Sequence, residues 1–248
     1  MQEMIEKVYY FSKNEFLVLL GLGRMEEIYS FELPGKAEFE NEDFILALYQ
    51  LMKKDCVRIE SGPVLTEKAE RILQWICAAE RALVVVPAEE GEQRICYLSE
   101  AGIVVTELAR QNDEIRLRMF PEEAFREILF AGTGVAEQPI ITEAAGQQME
   151  AFHGKMREQR RQILVEEMDF FAADLYAWSD RAEVQSTWEI LDLRRKVSLK
   201  QLVFRKGCVN PWVLERSEEG LQLCYDSLEF RKSLQCELLG AEGKEEQE

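Results

Sequence analysis

The sequence predicts an α+β fold with two quasi-twofold-related halves, each an antiparallel four-strand meander followed by a helix. A winged-helix-like helical part precedes the first meander, and a long helix lies between the halves. Three observations predict this arrangement. Apolar residues recur at helical spacing over the first 80 residues, the apolar period then changes to two, and this second pattern recurs about 105 residues later, as from Phe125 to Phe230.

The N-terminal part contains start signals for three helices. Ser12 with Glu15 forms a capping box before an apolar run, and Asn41 and Thr66 are predicted to cap two further helices. The second helix has apolar residues at helical spacing: Phe44, Ile45, Leu48 and Leu51. Residues 57–59 form a short predicted strand before the third helix. This order of elements loosely resembles a winged-helix domain.

Two blocks of period-two strands follow. The first block has predicted strands at 83–86, 94–98, 103–108 and 115–119, and Pro121 then opens a helix. Arg116 and Arg118 alternate with apolar residues in its last strand, which predicts one buried and one solvated face. The second block has predicted strands at 188–193, 199–204, 209–214 and 221–223, followed by an Asp226–Glu229 capping box. Four pairs of residues match between the blocks: Gly102 and Gly207, Val104 and Val209, Phe125 and Phe230, Leu129 and Leu234.

These patterns divide the chain into four segments. The N-terminal half covers residues 1–131, and a linker covers 132–141. The C-terminal half covers 142–239 and begins with a long polar helix that Thr142 caps. An acidic, disordered tail is expected at 240–248.

Composition and charge predict a globular cytoplasmic protein. The chain is 47% hydrophobic and 10% aromatic, which excludes disorder over most of its length. No apolar run approaches the roughly 18 residues of a membrane-spanning helix, and residues 1–7 lack a signal-peptide pattern. We therefore expect neither export nor membrane insertion. The six cysteines are expected to be buried thiols rather than disulfides: Cys56, Cys77, Cys96, Cys208, Cys224 and Cys236.

The common catalytic and metal-binding motifs are absent from the sequence, although acidic residues are plentiful. His153 is the single histidine, and no Gly-x-Ser-x-Gly or Cys-x-x-Cys motif is present. The Gly21 and Gly23 pair follows a predicted helix instead of a strand, so it is not a dinucleotide-binding loop. The sequence therefore predicts no catalytic residue, no metal site and no cofactor. An enzyme with an unrecognised carboxylate site is the remaining option of that class.

The second block contains a predicted partner-binding surface. Cys208, Trp212 and Leu214 lie on one side of its third strand, and Val209 and Val213 lie on the other. Pro211 predicts that this strand is an edge or bears a bulge, because proline cannot donate to a central ladder. The alternative is that helices cover both faces of this sheet. The predicted surface centres on Trp212, a residue type that commonly anchors interfaces.

The order of elements resembles the EspG family of cytosolic chaperones from ESX (type VII) secretion systems. The resemblance lies in residues 82–130, within which 99–105 and 113–119 are similar to the family's paired strands, and in 14–20, which is similar to its opening helix. It implies a non-enzymatic chaperone that holds helical secreted proteins. The rival hypothesis from another class is a winged-helix-type transcription-associated regulator. The sequence also leaves a homodimer open.

We expect no specific binding to duplex DNA at physiological salt. The net charge of −17 repels phosphates, and the basic runs at 155–161 and 194–206 are interleaved with acids or alternate along strands. Fluorescence anisotropy titration of labelled duplexes checks this. A sub-micromolar Kd at about 150 mM salt would contradict it.

Overall fold

The computed structural model describes residues 8–25, 33, 40–88, 92–109, 114–131, 133, 135, 183–206, 212–218, 220–226 and 228–239. The predicted long helix from Thr142, His153, Cys208, most of the predicted linker and the predicted tail lie outside these residues. The described chain is an α+β protein with a large antiparallel sheet.

The elements are β1 (Val8–Ser12), α1 (Lys13–Leu22), α2 (Asn41–Lys53), β2 (Val57–Ile59), β3 (Pro63–Leu65), α3 (Glu67–Cys77), β4 (Arg81–Pro87), β5 (Gln93–Ser99), β6 (Gly102–Ala109), β7 (Glu114–Phe120), a 3-10 turn (Glu122–Ala124), α4 (Phe125–Ile128), β8 (Val184–Asp192), β9 (Val197–Arg205), β10 (Trp212–Ser217), β11 (Gly220–Tyr225) and α5 (Leu228–Leu239). The order of elements agrees with the sequence patterns except for two short strands, β1 and β3, that those patterns did not predict.

The chain divides into two compact units. The first contains Met1–Val84, Glu92–Phe125 and Leu191–Val197, and the second contains Val85–Gly91, Arg126–Ile190 and Ser198–Glu248. The short segment 191–197 belongs to the first unit, where it contacts Glu80. The Leu193 amide donates to the Glu80 carbonyl at 2.9 Å, and Arg194 pairs with the Glu80 carboxylate. The units therefore interleave along the sequence, whereas the predicted segments were continuous.

The first unit contains strands in the hydrogen-bonded order β1-β7-β6-β5-β4 and a separate β2-β3 hairpin. One face of its sheet forms the core with residues from α1 and α3. The sheet contributes fully buried side chains that alternate along their strands: Phe11, Ile95, Tyr97, Val104, Ile115 and Leu117. The helices contribute Phe16, Leu19, Ile72, Leu73 and Ile76. The period-two and helical patterns thus meet in one apolar core.

Two glycines allow close packing around α3. A Cβ on Gly23, which follows α1, would lie 2.4 Å from the Leu73 side chain. Gly102 begins β6 with a φ of +141°, and a Cβ there would lie 2.5 Å from the Trp75 ring and 2.7 Å from the Phe120 carbonyl oxygen. Side chains at these two positions would separate α3 from the elements beside it.

The helix starts agree with the predictions at two of three positions. Ser12 and Glu15 form the predicted capping box of α1, and the Thr66 hydroxyl accepts from the Ala69 amide at the start of α3. The prediction for α2 is wrong by one residue. Glu40 is its N-cap and Asn41 its first helical residue, because Glu40 forms a reciprocal box with Asp43.

The second unit takes β4 from Val85 onward, contains strands in the order β4-β8-β9-β10-β11 and is packed around aromatic rings. Trp188 and Phe204 are fully buried with ring centroids 4.7 Å apart, and Phe130 lies 4.9 Å from Trp188. The Trp188 indole donates to the Ser186 hydroxyl at 2.8 Å, which satisfies its buried N–H. The rings of Phe230 in α5 and Phe204 lie at 70° to each other, with their centroids 6.4 Å apart.

The sequence predicted that the third strand of the second block is an edge strand or bears a bulge at Pro211. The edge alternative is wrong, and the bulge alternative lies outside the described residues. Strand β10 pairs with β9 on one side and β11 on the other, with Trp212 opposite both Arg205 and Tyr225. The described strand begins at Trp212 and ends at Ser217, three residues later than predicted. The proline on which the edge argument rested is therefore not among the described strand residues. In both blocks four strands precede a helix, as predicted, whereas the twofold relation between the halves stays a prediction.

We expect Phe125→Ala to lower the free energy of unfolding by about 3 to 5 kcal/mol, because this ring at the start of α4 is fully buried. Phe230→Ala is the matched comparison. Its ring is partly exposed, so its loss should cost less, although the sequence pattern treated the two as equivalent. Urea unfolding of both variants measures the difference. Equal losses would contradict this ranking.

Candidate protein-binding site

The largest cluster of buried charge in the first unit surrounds Glu107 on the sheet face opposite the core. Arg94 of β5 donates to Glu107 Oε1 from Nε at 3.0 Å and from Nη2 at 2.7 Å. From β7, Arg116 Nε donates to Oε2 at 2.7 Å and Arg118 Nη2 donates to Oε1 at 2.9 Å. Arg116 also pairs with Glu92 at 3.0 Å. The predicted solvated face of β7 is therefore occupied by a charge network that joins three strands.

This network holds Glu107 in its ionised form. Burial by itself raises the pKa of a carboxyl, but the charges of Arg94, Arg118 and Arg116 outweigh it and the pKa of Glu107 is lowered. Glu107 as a whole is 2% exposed. A buried carboxylate with a lowered pKa is a poor general base, so the geometry favours a structural role.

The second unit contains a buried ion pair at Asp226 and a partly buried pair of contacts at Lys200. Arg231 of α5 donates to buried Asp226 at 2.7 Å, and its guanidinium carbon lies 3.7 Å from the centre of the Phe130 ring. Burial raises the pKa of Asp226, and the hydrogen bond from Arg231 offsets part of that effect. Lys200 joins β9 to Glu215 of β10 at 2.9 Å and Glu237 of α5 at 2.6 Å. Each pair fixes a helix or strand within its unit.

The described residues contain little that could hold a metal or a reactive thiol. Within the described ranges, no three His, Cys, Asp or Glu side chains cluster in a way that could bind a metal ion. Cys96 is buried and burial raises its pKa to about 11, so its thiol stays protonated. The expectation of buried thiols is wrong for Cys77 and Cys236, which are exposed near the ends of α3 and α5.

The most exposed apolar surface in the first unit lies along α2. Four large side chains are 66%, 59%, 54% and 42% exposed: Ile45, Leu46, Tyr49 and Met52, respectively. We call these four residues the α2 stripe. Ile45, Tyr49 and Met52 follow the i, i+4, i+7 spacing that places side chains on one helix face.

The opposite face of α2 explains why the stripe is outside. Ala47 is 3% exposed and Leu51 is fully buried in the core, so these residues face α1 and strand β2. A helix can bury only about half of its circumference against a single layer. Because α2 is apolar on both faces, one of them remains in solvent.

Charged residues lie at both ends of the α2 stripe. Glu42 is exposed in the first turn, and Lys53 is exposed in the last turn, with its ammonium 4.3 Å above the Tyr49 ring. Ile59 and Val64, on the hairpin that follows α2, are exposed at 54% and 38%. An apolar surface between charged ends is typical of a protein-binding site.

The structure does not favour a role for Leu214 in direct partner contact, since this predicted site residue is only 5% exposed. Val213, on the other face of β10, is fully buried. The Trp212 backbone lies in β10, its side chain is not among those described, and Cys208 lies outside the described residues. Of the three predicted site residues, the structure thus describes the side chain of Leu214 alone, and that side chain is buried.

The sequence pattern missed the α2 stripe although it predicted the helix. Ile45 was counted with Phe44, Leu48 and Leu51 as one apolar face, yet Ile45 is the most exposed residue of the stripe. The available signal was that Ile45, Tyr49 and Met52 lie on the side of α2 opposite Ala47 and Leu51, so that the helix has two apolar faces. Such a helix is either enclosed or binds a partner.

No protein-family model matches the chain, and no curated protein matches it. In the described part of the chain, no helix combines the length and apolar character needed to cross a membrane.

We expect Glu107→Gln to destabilise the protein by about 3 kcal/mol or more at pH 7, because the change leaves three guanidinium groups around a neutral amide. The matched control is Glu92→Gln, whose half-exposed carboxylate should contribute less than about 1 kcal/mol. The measurement is urea unfolding at several pH values. Because the folded pKa of Glu107 is lowered, its contribution is fully present above the unfolded pKa of about 4.3 and is lost as pH falls through the folded value. A difference between wild type and variant that stays constant down to pH 2 would contradict this.

Proposed function

We propose that this protein is a cytosolic, non-enzymatic adaptor or chaperone that holds a helical segment of a client protein along the α2 stripe. The function is the one that the resemblance to EspG-like chaperones of type VII secretion systems implies, and its client would then be a secreted helical protein. The α2 stripe is the observation that carries the proposal.

Burial of the stripe would contribute a useful amount of binding free energy. Complete burial of a Leu, Ile or Met side chain contributes about 1.5 to 3 kcal/mol. On average the four side chains have about half of their surface exposed, and this is the part that a client would bury. Association and side-chain ordering costs reduce the total. The remainder is consistent with a reversible complex, as expected for a protein that must release its client.

A helix is the partner structure that fits this surface. The stripe is a convex row of side chains on a single helix of 13 residues. A second helix packs on such a row by placing its own i, i+3, i+4 and i+7 side chains between those of α2. The exposed edge of a sheet, by contrast, would favour an extended peptide.

The winged-helix alternative gains little from the described surface. In that reading α3 would contact DNA, yet α3 has Glu67 and Glu70 in its first turn. Arg71 pairs with Glu67 at 3.0 Å. An acidic first turn repels the phosphates of DNA, so the charges of α3 oppose the winged-helix alternative.

We expect Ile45→Glu to weaken client capture at least tenfold with little change in thermal stability, because this side chain is 66% exposed and supports no core contact. The test is co-expression with helical secreted proteins encoded at the same locus, followed by affinity capture and a thermal melt. Val197→Glu is the matched control, since this residue is 41% exposed on β9 and lies outside the stripe.

Undiminished capture by the Ile45→Glu variant would remove the stripe from the proposal. Equal loss in both variants would show a general effect of added charge and would also contradict it. Trp212→Ala tests the surface predicted from the sequence: loss of capture at an unchanged melting temperature would assign the client to β10 instead of α2.

A further inference from the structure

We infer that the client helix lies antiparallel to α2, with an acidic N-terminal end at Lys53 and a basic C-terminal end at Glu42. This inference rests on the proposed function and adds to it the direction and charge order of the client. It depends on where charges lie along the α2 stripe.

Glu42 and Lys53 flank the stripe on the same side of the helix. They are eleven positions apart, which corresponds to about three turns and roughly 16 Å along the axis. Because three turns return a side chain to nearly the same direction, both charges border the face that Ile45, Tyr49 and Met52 form. The stripe therefore has a negative end and a positive end.

Other contacts reinforce this polarity. Asp43 and Glu40 lie beside Glu42 at the negative end, where they form the reciprocal cap of α2. At the positive end, the Lys53 ammonium rests above the Tyr49 ring, which holds the charge against the apolar surface. A partner that covers Tyr49 must therefore approach this ammonium.

The intrinsic charge preference of a helix selects the antiparallel direction. A stable helix carries acidic residues in its first turn and basic residues in its last turn, because these charges oppose its macrodipole. Laid antiparallel on α2, such a helix places its acids at Lys53 and its bases at Glu42. A parallel client would need the reverse order, which destabilises the client itself.

We expect the order of charges along the client helix to have a small effect on its affinity for the α2 stripe and a large effect on the direction in which it binds. Each exposed ion pair contributes little, so two favourable pairs replaced by two like-charged contacts should change Kd about three- to tenfold. Like-charged contacts at both ends also oppose the wrong direction, which is how charges commonly set helix orientation.

The experiment uses the full chain and two synthetic peptides of about 20 residues with the same Leu and Ala stripe. One peptide has Glu at its N-terminal end and Lys at its C-terminal end, and the other has these charges exchanged. Fluorescence anisotropy gives both affinities. A benzophenone group at the N-terminal end of each peptide reports direction, since mass spectrometry identifies the residue to which it cross-links.

The expected result is tighter binding of the first peptide by about three- to tenfold, with its N-terminal cross-link near Met52 and Lys53. A Glu42→Lys, Lys53→Glu protein should reverse the preference, and a melt measured in parallel shows that it is folded. Equal affinities with cross-links at both ends would overturn the direction but leave the proposed function standing.

Two other results separate the inference from the function on which it rests. Binding of neither peptide at up to about millimolar concentration would contradict the proposed function as well. Sedimentation velocity of the protein alone completes the test. A dimer that Ile45→Glu abolishes would assign the stripe to a second copy of this chain, and would overturn the inference.

Discussion

The carboxylate of Glu107 is the interaction on which the first unit most depends, because it accepts hydrogen bonds from guanidinium groups of both strands that flank β6. Strand β6 is buried on both faces, so its outward-facing carboxylate needs partners there. A shift of one residue in pairing would move Glu107 into the apolar core and the core residue Thr106 into the arginine cluster. The network thus specifies the β5-β6-β7 register in addition to stabilising it. The same register places Tyr97 and Val104 on the core side, where α3 covers them.

Each of the two units neutralises a buried carboxylate with arginine. In each, an acidic residue of the sheet region is enclosed with arginine, as Glu107 is with Arg94 and Asp226 is with Arg231. The pKa directions differ because the balance between burial and nearby positive charge differs. Three guanidinium groups outweigh burial at Glu107, whereas burial prevails at Asp226, where Arg231 is the cation that lowers its pKa. The proposed client surface lies on α2, which contributes no residue to these networks, so changes to the stripe leave the described sheet contacts intact.

The candidate site shows the limit of periodicity as a guide to exposure. The alternation of apolar and polar residues predicted the strands of both blocks to within a few residues. It is a reliable guide there because a shift of one residue along a strand would place polar side chains in the core. On α2 apolar residues lie on two opposite faces, and no spacing rule says that the face with Ile45, at 66% exposure, is the outer one and the face with fully buried Leu51 the inner one. For β10, the apolar run at 209–214 suggested an exposed face, yet two neighbouring strands and buried side chains at Val213 and Leu214 enclose its described part.

The sequence by itself determined the fold class, the two blocks of four strands and the caps of α1 and α3, because these depend on neighbours within a few residues of each other. It did not predict β1 and β3, which are short and are stabilised by pairing with β7 and β2. The tertiary structure decided which apolar faces are covered and which charges meet. Arg94, Glu107, Arg116 and Arg118 come together only when three strands pair, at separations of up to 24 residues along the chain from Arg94 to Arg118. The exposure of the α2 stripe was decided in the same way, since it depends on α1 and β2 covering the other face of that helix and not on any pattern within it.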